Sequence, residues 1–131
     1  SLQYGDCRDE VEKVSAATGV DILFDDSVDA LTDLDRFAAQ VAAMDLVVSI
    51  DNSTVSMACA LGIPVWNLLV TVPDWKMGME GDTNPWHACL RLIRQRTRND
   101  WDPVLREAAA RLRREVAGTR PAHAIHRDGG P

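Results

Sequence analysis

Residues 46–54, Leu46-Val47-Val48-Ser49-Ile50-Asp51-Asn52-Ser53-Thr54, restrict the fold more than any other part of this chain. An apolar run rich in β-branched residues stops at four small polar ones, and a helical stretch through Leu61 begins at once. Gly62-Ile63-Pro64 then turns the chain into a second apolar run starting Val65-Trp66. The order is strand, polar turn, helix, strand. In a parallel sheet such a turn lies at the carboxyl end of its strand, where open α/β sheets bind ligands. The first free N–H groups of the helix, and the positive end of its dipole, point into the same space, which suits a phosphate.

The flanking sequence extends this α/β pattern. Residues 1–4 read as the tail of a strand. Residues 8–18 read as a helix with Val11, Val14 and Ala17 on one side and Gly19 as its stop, and 21–24 as a short buried strand. Residues 33–44 form a second amphipathic helix that Thr32 or Asp33 can cap. Strand 45–50, helix 53–61 and strand 64–69 follow. Residues 70–88 are long and irregular, and loops of this length inside compact domains are usually functional or disordered; Trp75 and Trp86 are expected to anchor this one. Residues 90–94 suit an edge strand, and Trp101, Val104, Leu105, Ala108, Leu112 and Val116 mark an amphipathic helix. The expected domain covers 1–117, with 118–131 a polar, disordered tail. Strands alternating with helices predict an α/β, three-layer sandwich around a mostly parallel sheet. The opening on a strand end suggests that the first strand of such a domain is absent.

Composition narrows the function classes. A chain of 131 residues holds one domain with a real core. Its net charge of −6 and the lack of a long basic run argue against general nucleic-acid binding, where phosphate neutralisation supplies most of the affinity. The arginines at 91, 94, 96 and 98 read as a solvated strand end and loop. No apolar stretch reaches the roughly 20 residues of a membrane span. Cys7, Cys59 and Cys89 are odd in number and lack metal-ligand spacing, so free thiols, no metal and a cytoplasmic location are expected. Asp25, Asp26 and Asp29 read as a solvated acidic loop, and His87, His123 and His126 show no metal or nucleophile arrangement.

Several segments together carry a resemblance. Leu2-Gln3-Tyr4-Gly5-Asp6, the 45–53 run, Ala60-Leu61-Gly62-Ile63-Pro64-Val65-Trp66, Pro73-Asp74-Trp75-Lys76, Asn84-Pro85-Trp86 and Arg94-Gln95 occur in order. The chain from residue 2 to about 116 resembles the C-terminal domain of GT-B glycosyltransferases related to the lipopolysaccharide heptosyltransferases, in the branch often fused to tetratricopeptide repeats. The resemblance implies a Rossmann-like, nucleotide-sugar-binding domain that works without a metal ion or other cofactor. The acceptor and the usual general base would come largely from a second domain or chain. Two positions depart from the family motif. Ser56 stands where His is usual, and Cys59 where Gly is usual. A neutral hydroxyl lacks the charge-assisted contact of a protonated His with a diphosphate.

The expected donor-binding residues are Asp51, Asn52, Ser53, Thr54 and Ser56 on the turn and helix, Trp75 and Lys76 on the long loop, and Tyr4 at the other strand end; no catalytic residue is assigned. Each has a plainer role available. Asn52 or Ser53 can simply cap the helix, Asp51 would repel a diphosphate and better orients the turn or accepts a sugar hydroxyl, and Lys76 can be a loop lysine. Trp75 and still more Trp86 suit buried anchors, Tyr4 suits turn packing, and Asp74 beside Lys76 suits a local ion pair. Three functions stay open: the donor-binding half of a glycosyltransferase with little activity alone, a non-catalytic interaction module of the same fold, or a fragment of a sugar-nucleotide epimerase. A sheet lacking a strand exposes an edge through which copies of the chain could associate.

Overall fold

The computed structural model describes residues 1–3 and 5–118. Tyr4 and residues 119–131, the bulk of the expected tail, lie outside the described residues. The elements in order are α1 (Arg8–Thr18), α2 (Leu34–Ala42), β1 (Val47–Ile50), α3 (Ser53–Ala60), β2 (Val65–Leu69), β3 (Leu90–Arg94) and α4 (Asp102–Gly118), with a single 3₁₀ turn at Trp75–Met77. The chain is α/β, with a three-stranded parallel sheet in the order β1-β2-β3. In register, Val47 sits beside Val65, and Val65 beside Leu90.

Strand periodicity divides the core in two. Val47, Val65, Leu69, Leu90 and Leu92 face one side and pack with Phe37 and Val41 of α2 and Val55, Ala58 and Cys59 of α3. Trp66, Leu68 and Ile93 face the other and pack with Val104 and Ala108 of α4. Every residue of β2 is buried, as expected of a central strand covered on both faces. Local signals set the ends of these elements. Asp33 caps α2 by accepting from the Arg36 N–H at 3.0 Å. Gly62 takes a φ of +74°, a conformation open to glycine at low cost, and so lets the chain double back from α3 into β2.

Residues 70–88 replace the crossover helix expected between two parallel strands. The segment folds against the α3 side of the sheet, with Met77 buried in the same cluster as Val55, Cys59 and Val65. Its last part also shields the outer edge of β3. Thr83 forms an antiparallel bridge with Arg91, and the Leu92 N–H donates to the Asp82 carbonyl at 2.8 Å. β3 is therefore an edge strand in the order, as read from sequence, but a covered one. Among the described residues no strand covers the edge of β1, and its Val48 and Ile50 are 45% and 56% exposed.

Two sequence expectations are corrected here. Residues 1–3 and 21–24 are not strands. Neither segment pairs with the sheet, and Leu23, expected inside, is 77% exposed. Helix α1 forms where its pattern predicts and ends at Gly19 in the left-handed conformation, yet it buries none of its side chains. Propensity and capping suffice to shape this helix, but the apolar side it offers meets no layer that would bury it. The final helix extends to Gly118, one residue beyond the expected domain boundary. No helix among the described residues is long and apolar enough to cross a membrane.

Candidate functional site

The turn after β1 is built by its own side chains. Asn52 accepts from the Val55 N–H at 3.2 Å and so caps α3, while its amide nitrogen donates to Ser49 Oγ at 3.1 Å. Thr54 is buried, Asp51 and Asn52 are half-buried, and Ser53 and Ser56 are exposed. The capping role alone is worth about 0.5–2 kcal/mol. Capping occupies the Val55 amide, so an anion at this helix end would rely on the N–H groups of Ser53 and Thr54.

The expected site residues separate into two places. Asn52 and Thr54 line a groove of about 640 Å³ between the open edge of β1 and residues 1–3. Ser56, Trp75 and Lys76 line a different cavity of about 220 Å³ between α3 and the long loop. Asp51 and Ser53 line neither. Tyr4 falls outside the described residues. The second cavity has mostly apolar walls, completed by Val55, Cys59, Met77 and Leu90, together with Trp86 and His87. No Asp or Glu lines it.

Its tryptophans overturn an expectation. Trp75 and Trp86 are not buried anchors but stand 82% and 68% exposed at the rim of this cavity. Large aromatics normally bury most of their surface. Here the loop is anchored by other residues, which sequence reasoning missed. Asn84, buried, donates to the Lys76 carbonyl at 2.9 Å and accepts from the Trp86 and His87 N–H groups at 2.9 and 3.1 Å. Arg94 donates to the carbonyls of Met77, Gly78, Glu80 and Gly81 at 2.7, 3.0, 3.2 and 2.7 Å. It was expected to be solvated; the period of β3 instead puts it on the same face as Leu90 and Leu92, toward the loop. Asp74 caps the 3₁₀ turn by accepting from the Lys76 N–H at 3.1 Å, a bond to the Lys76 backbone.

Two further features border the loop. Asn67, wholly buried in β2, donates to Met77 Sδ at 3.7 Å, and its Oδ1 has no hydrogen-bond partner among the described residues. Burial pushes the Cys59 thiol up to about 12, helped by a hydrogen bond with Cys89 and by repulsion from that neighbour's charge. Cys59 is therefore a neutral thiol in the cavity wall.

Asp25, Asp26 and Asp29 are exposed and are held by local bonds. Asp25 accepts from the Ser27 hydroxyl and N–H, Asp29 from Thr32 and Leu31, and Asp26 pairs with Arg8 at 2.5 Å. These bonds hold the carboxyls of Asp25 and Asp29 below their usual range, chiefly through the Ser27 and Thr32 hydroxyls. Among the described residues no group of three His, Cys, Asp or Glu could hold a metal ion.

The arrangement therefore offers a parallel-sheet carboxyl end with a capped helix start, and beside it a small apolar cavity rimmed by two exposed indoles, a lysine and a histidine. Comparison with known proteins adds little to this chemistry. No family model matches the chain. No solved structure matches it either. Over 114 residues the chain is 34% identical to Protein FlbA of Caulobacter vibrioides, a match that takes in 86% of this chain and 19% of that protein. The chain thus spans less than a fifth of the relative it is similar to.

Proposed function

We propose that the chain is a Rossmann-like, donor-binding half of a GT-B glycosyltransferase, which holds a nucleoside diphosphate-sugar and has little turnover by itself. The observation that carries this reading is the pair of exposed tryptophans, Trp75 and Trp86, on the rim of a ring-sized cavity beside the first turns of α3. An indole face is a stacking platform for a base or for the apolar face of a sugar. Lys76 on the same rim can neutralise a phosphate, and the N–H groups of Ser53 and Thr54 at the helix start can receive one. Positive charge at that point would stabilise the leaving diphosphate as the glycosidic bond breaks. Transfer needs an acceptor-binding part, for which a protein of the relative's greater length leaves room. The epimerase reading loses ground, because the cavity wall lacks a carboxylate to act as acid or base.

Thermal shift against UDP, GDP, ADP and their sugars tests the proposal. A ligand at 100 times its dissociation constant should stabilise the chain by about 2.7 kcal/mol. Trp75→Ala should weaken that ligand roughly 10- to 100-fold, the cost of one stacking contact at about 1–3 kcal/mol. Its own stability should stay within about 0.5 kcal/mol of the parent, since the side chain is exposed. No shift with any member of the panel sinks the donor reading.

The open edge of β1 favours a second reading, a non-catalytic interaction module that associates with a second copy of itself. Residues 47–50 form a sheet edge that no strand among the described residues pairs, with no charge or proline in it to deter pairing. Sedimentation at increasing concentration should then show a dimer in the parent chain and a monomer in Val48→Lys. A concentration-independent monomer removes this reading.

A further inference from the structure

Sequence separates Cys59 and Cys89 by 30 positions, and the fold brings them together. Pairing of β2 with β3 begins with the Val65 N–H donating to the Cys89 carbonyl at 3.0 Å, which sets Cys89 beside the sheet face that α3 covers. Cys59 lies near the end of α3 and packs on that same face. The Cys89 thiol donates to the Cys59 carbonyl oxygen at 3.9 Å, so the two side chains start from adjoining backbone. Cys89 also packs against the cluster that contains Cys59, Val65 and Leu90. The two differ in access. Cys89 is half-buried, whereas Cys59 is buried except where it borders the tryptophan-rimmed cavity. Both are free thiols; Cys59 forms part of the wall of the cavity proposed above for the donor, and Cys89 does not line it.

We infer that Cys59 and Cys89 form an oxidisable dithiol, closed to an intramolecular disulfide by low-molecular-weight disulfides. Cys89, the more accessible, loses its proton to solvent and attacks one sulfur of the small disulfide, whose S–S bond breaks to release one small thiolate. Cys59 then gives up its proton and attacks the Cys89 sulfur of the mixed disulfide, expelling the second small thiolate. Two protein thiols are oxidised and one small disulfide is reduced to two thiols, each taking up a proton. The second step is the slower one, because the buried Cys59 holds its proton tightly. The bond would tie the end of α3 to the start of β3 and enclose β2 and the whole loop bearing Trp75 and Trp86. Closing a loop of this length raises stability mainly by restricting the unfolded chain.

The test uses the full chain, reduced under nitrogen and then incubated with oxidised glutathione. The expected product has lost the mass of two hydrogens, yields a Cys59–Cys89 cross-linked peptide on digestion, and melts several degrees higher than the reduced chain. Cys7→Ser should react identically, and Cys89→Ser should give no intramolecular bond while keeping the parent's reduced-state melting curve. Persistence of a glutathione adduct on Cys89 with Cys59 still free overturns the inference. So does a chain whose thiols stay unreacted, or one that cross-links through Cys7. None of these outcomes depends on nucleotide binding, so the inference stands or falls apart from the donor reading.

Discussion

Arg94→Ala should lower the melting temperature by roughly 10 °C, corresponding to about 2–4 kcal/mol, and should open residues 75–84 to protease. The guanidinium of Arg94 donates to four backbone carbonyls between Met77 and Gly81. Each bond involves a charged donor, which places it among the stronger protein hydrogen bonds at about 1.5–3 kcal/mol. Three of the four are solvent-exposed, so water can replace part of what is lost, and the total falls well short of four full bonds. Arg94→Lys should recover less than half, because a compact ammonium cannot spread its donors as a planar fork does. The loop carries both exposed tryptophans, so the same substitution should abolish any ligand response that depends on Trp75. An unchanged melting curve and protease pattern would show that the loop is held by Met77 and Asn84 alone.

Leu69→Ala should be at least as damaging, at about 2–5 kcal/mol, read from the urea midpoint at constant slope. Leu69 closes the central strand and is fully buried among the side chains packed between the sheet and the α2–α3 layer. Truncation removes three carbons from a position with protein on all sides, so lost transfer energy and a residual cavity both contribute. Small domains have about 5–15 kcal/mol of total stability, so this one change uses a large share of it. Leu69→Met preserves volume and should cost under about 1.5 kcal/mol. Leu23→Ala, in the segment that sequence places in a buried strand, should stay within about 0.5 kcal/mol because that side chain is exposed. A large loss at Leu23 would mean that residues 21–24 join the core after all.

Sequence and structure part company at particular residues, and the divisions have physical causes. The unit from β1 through α3 to β2 was legible because its signals are local. β-branched runs shape the strands, Asn52 reaches an amide three residues on, and Gly62 adopts the one backbone state that the return turn needs. The helix at 8–18 was legible for the same reason, including its glycine stop. Residues 21–24 have the composition of a strand but no neighbouring strand to pair with, and an unpaired strand is not a stable element. Trp75 and Trp86 were misread as anchors because hydrophobic size predicts burial only when the surrounding fold offers a place for it. Arg94 looked like one of several surface arginines. Its role depends on carbonyls 13 to 17 residues away, which no short spacing reveals.

By itself, the sequence determined the helices and the order of strands from residue 45 onward, the caps that start α2 and α3, the parallel sheet that such an order requires, and the polar turn at the end of β1. These follow from interactions among residues a few positions apart. Only the tertiary structure decided that residues 70–88 lie against α3, that two indoles stay outside at the rim of a cavity, that Asn52 and Ser56 border different hollows, and that Cys59 meets Cys89. Those outcomes depend on which distant surfaces pack together. Burial, exposure and hydrogen-bond partnership are properties of that packing, and a one-dimensional pattern does not contain them.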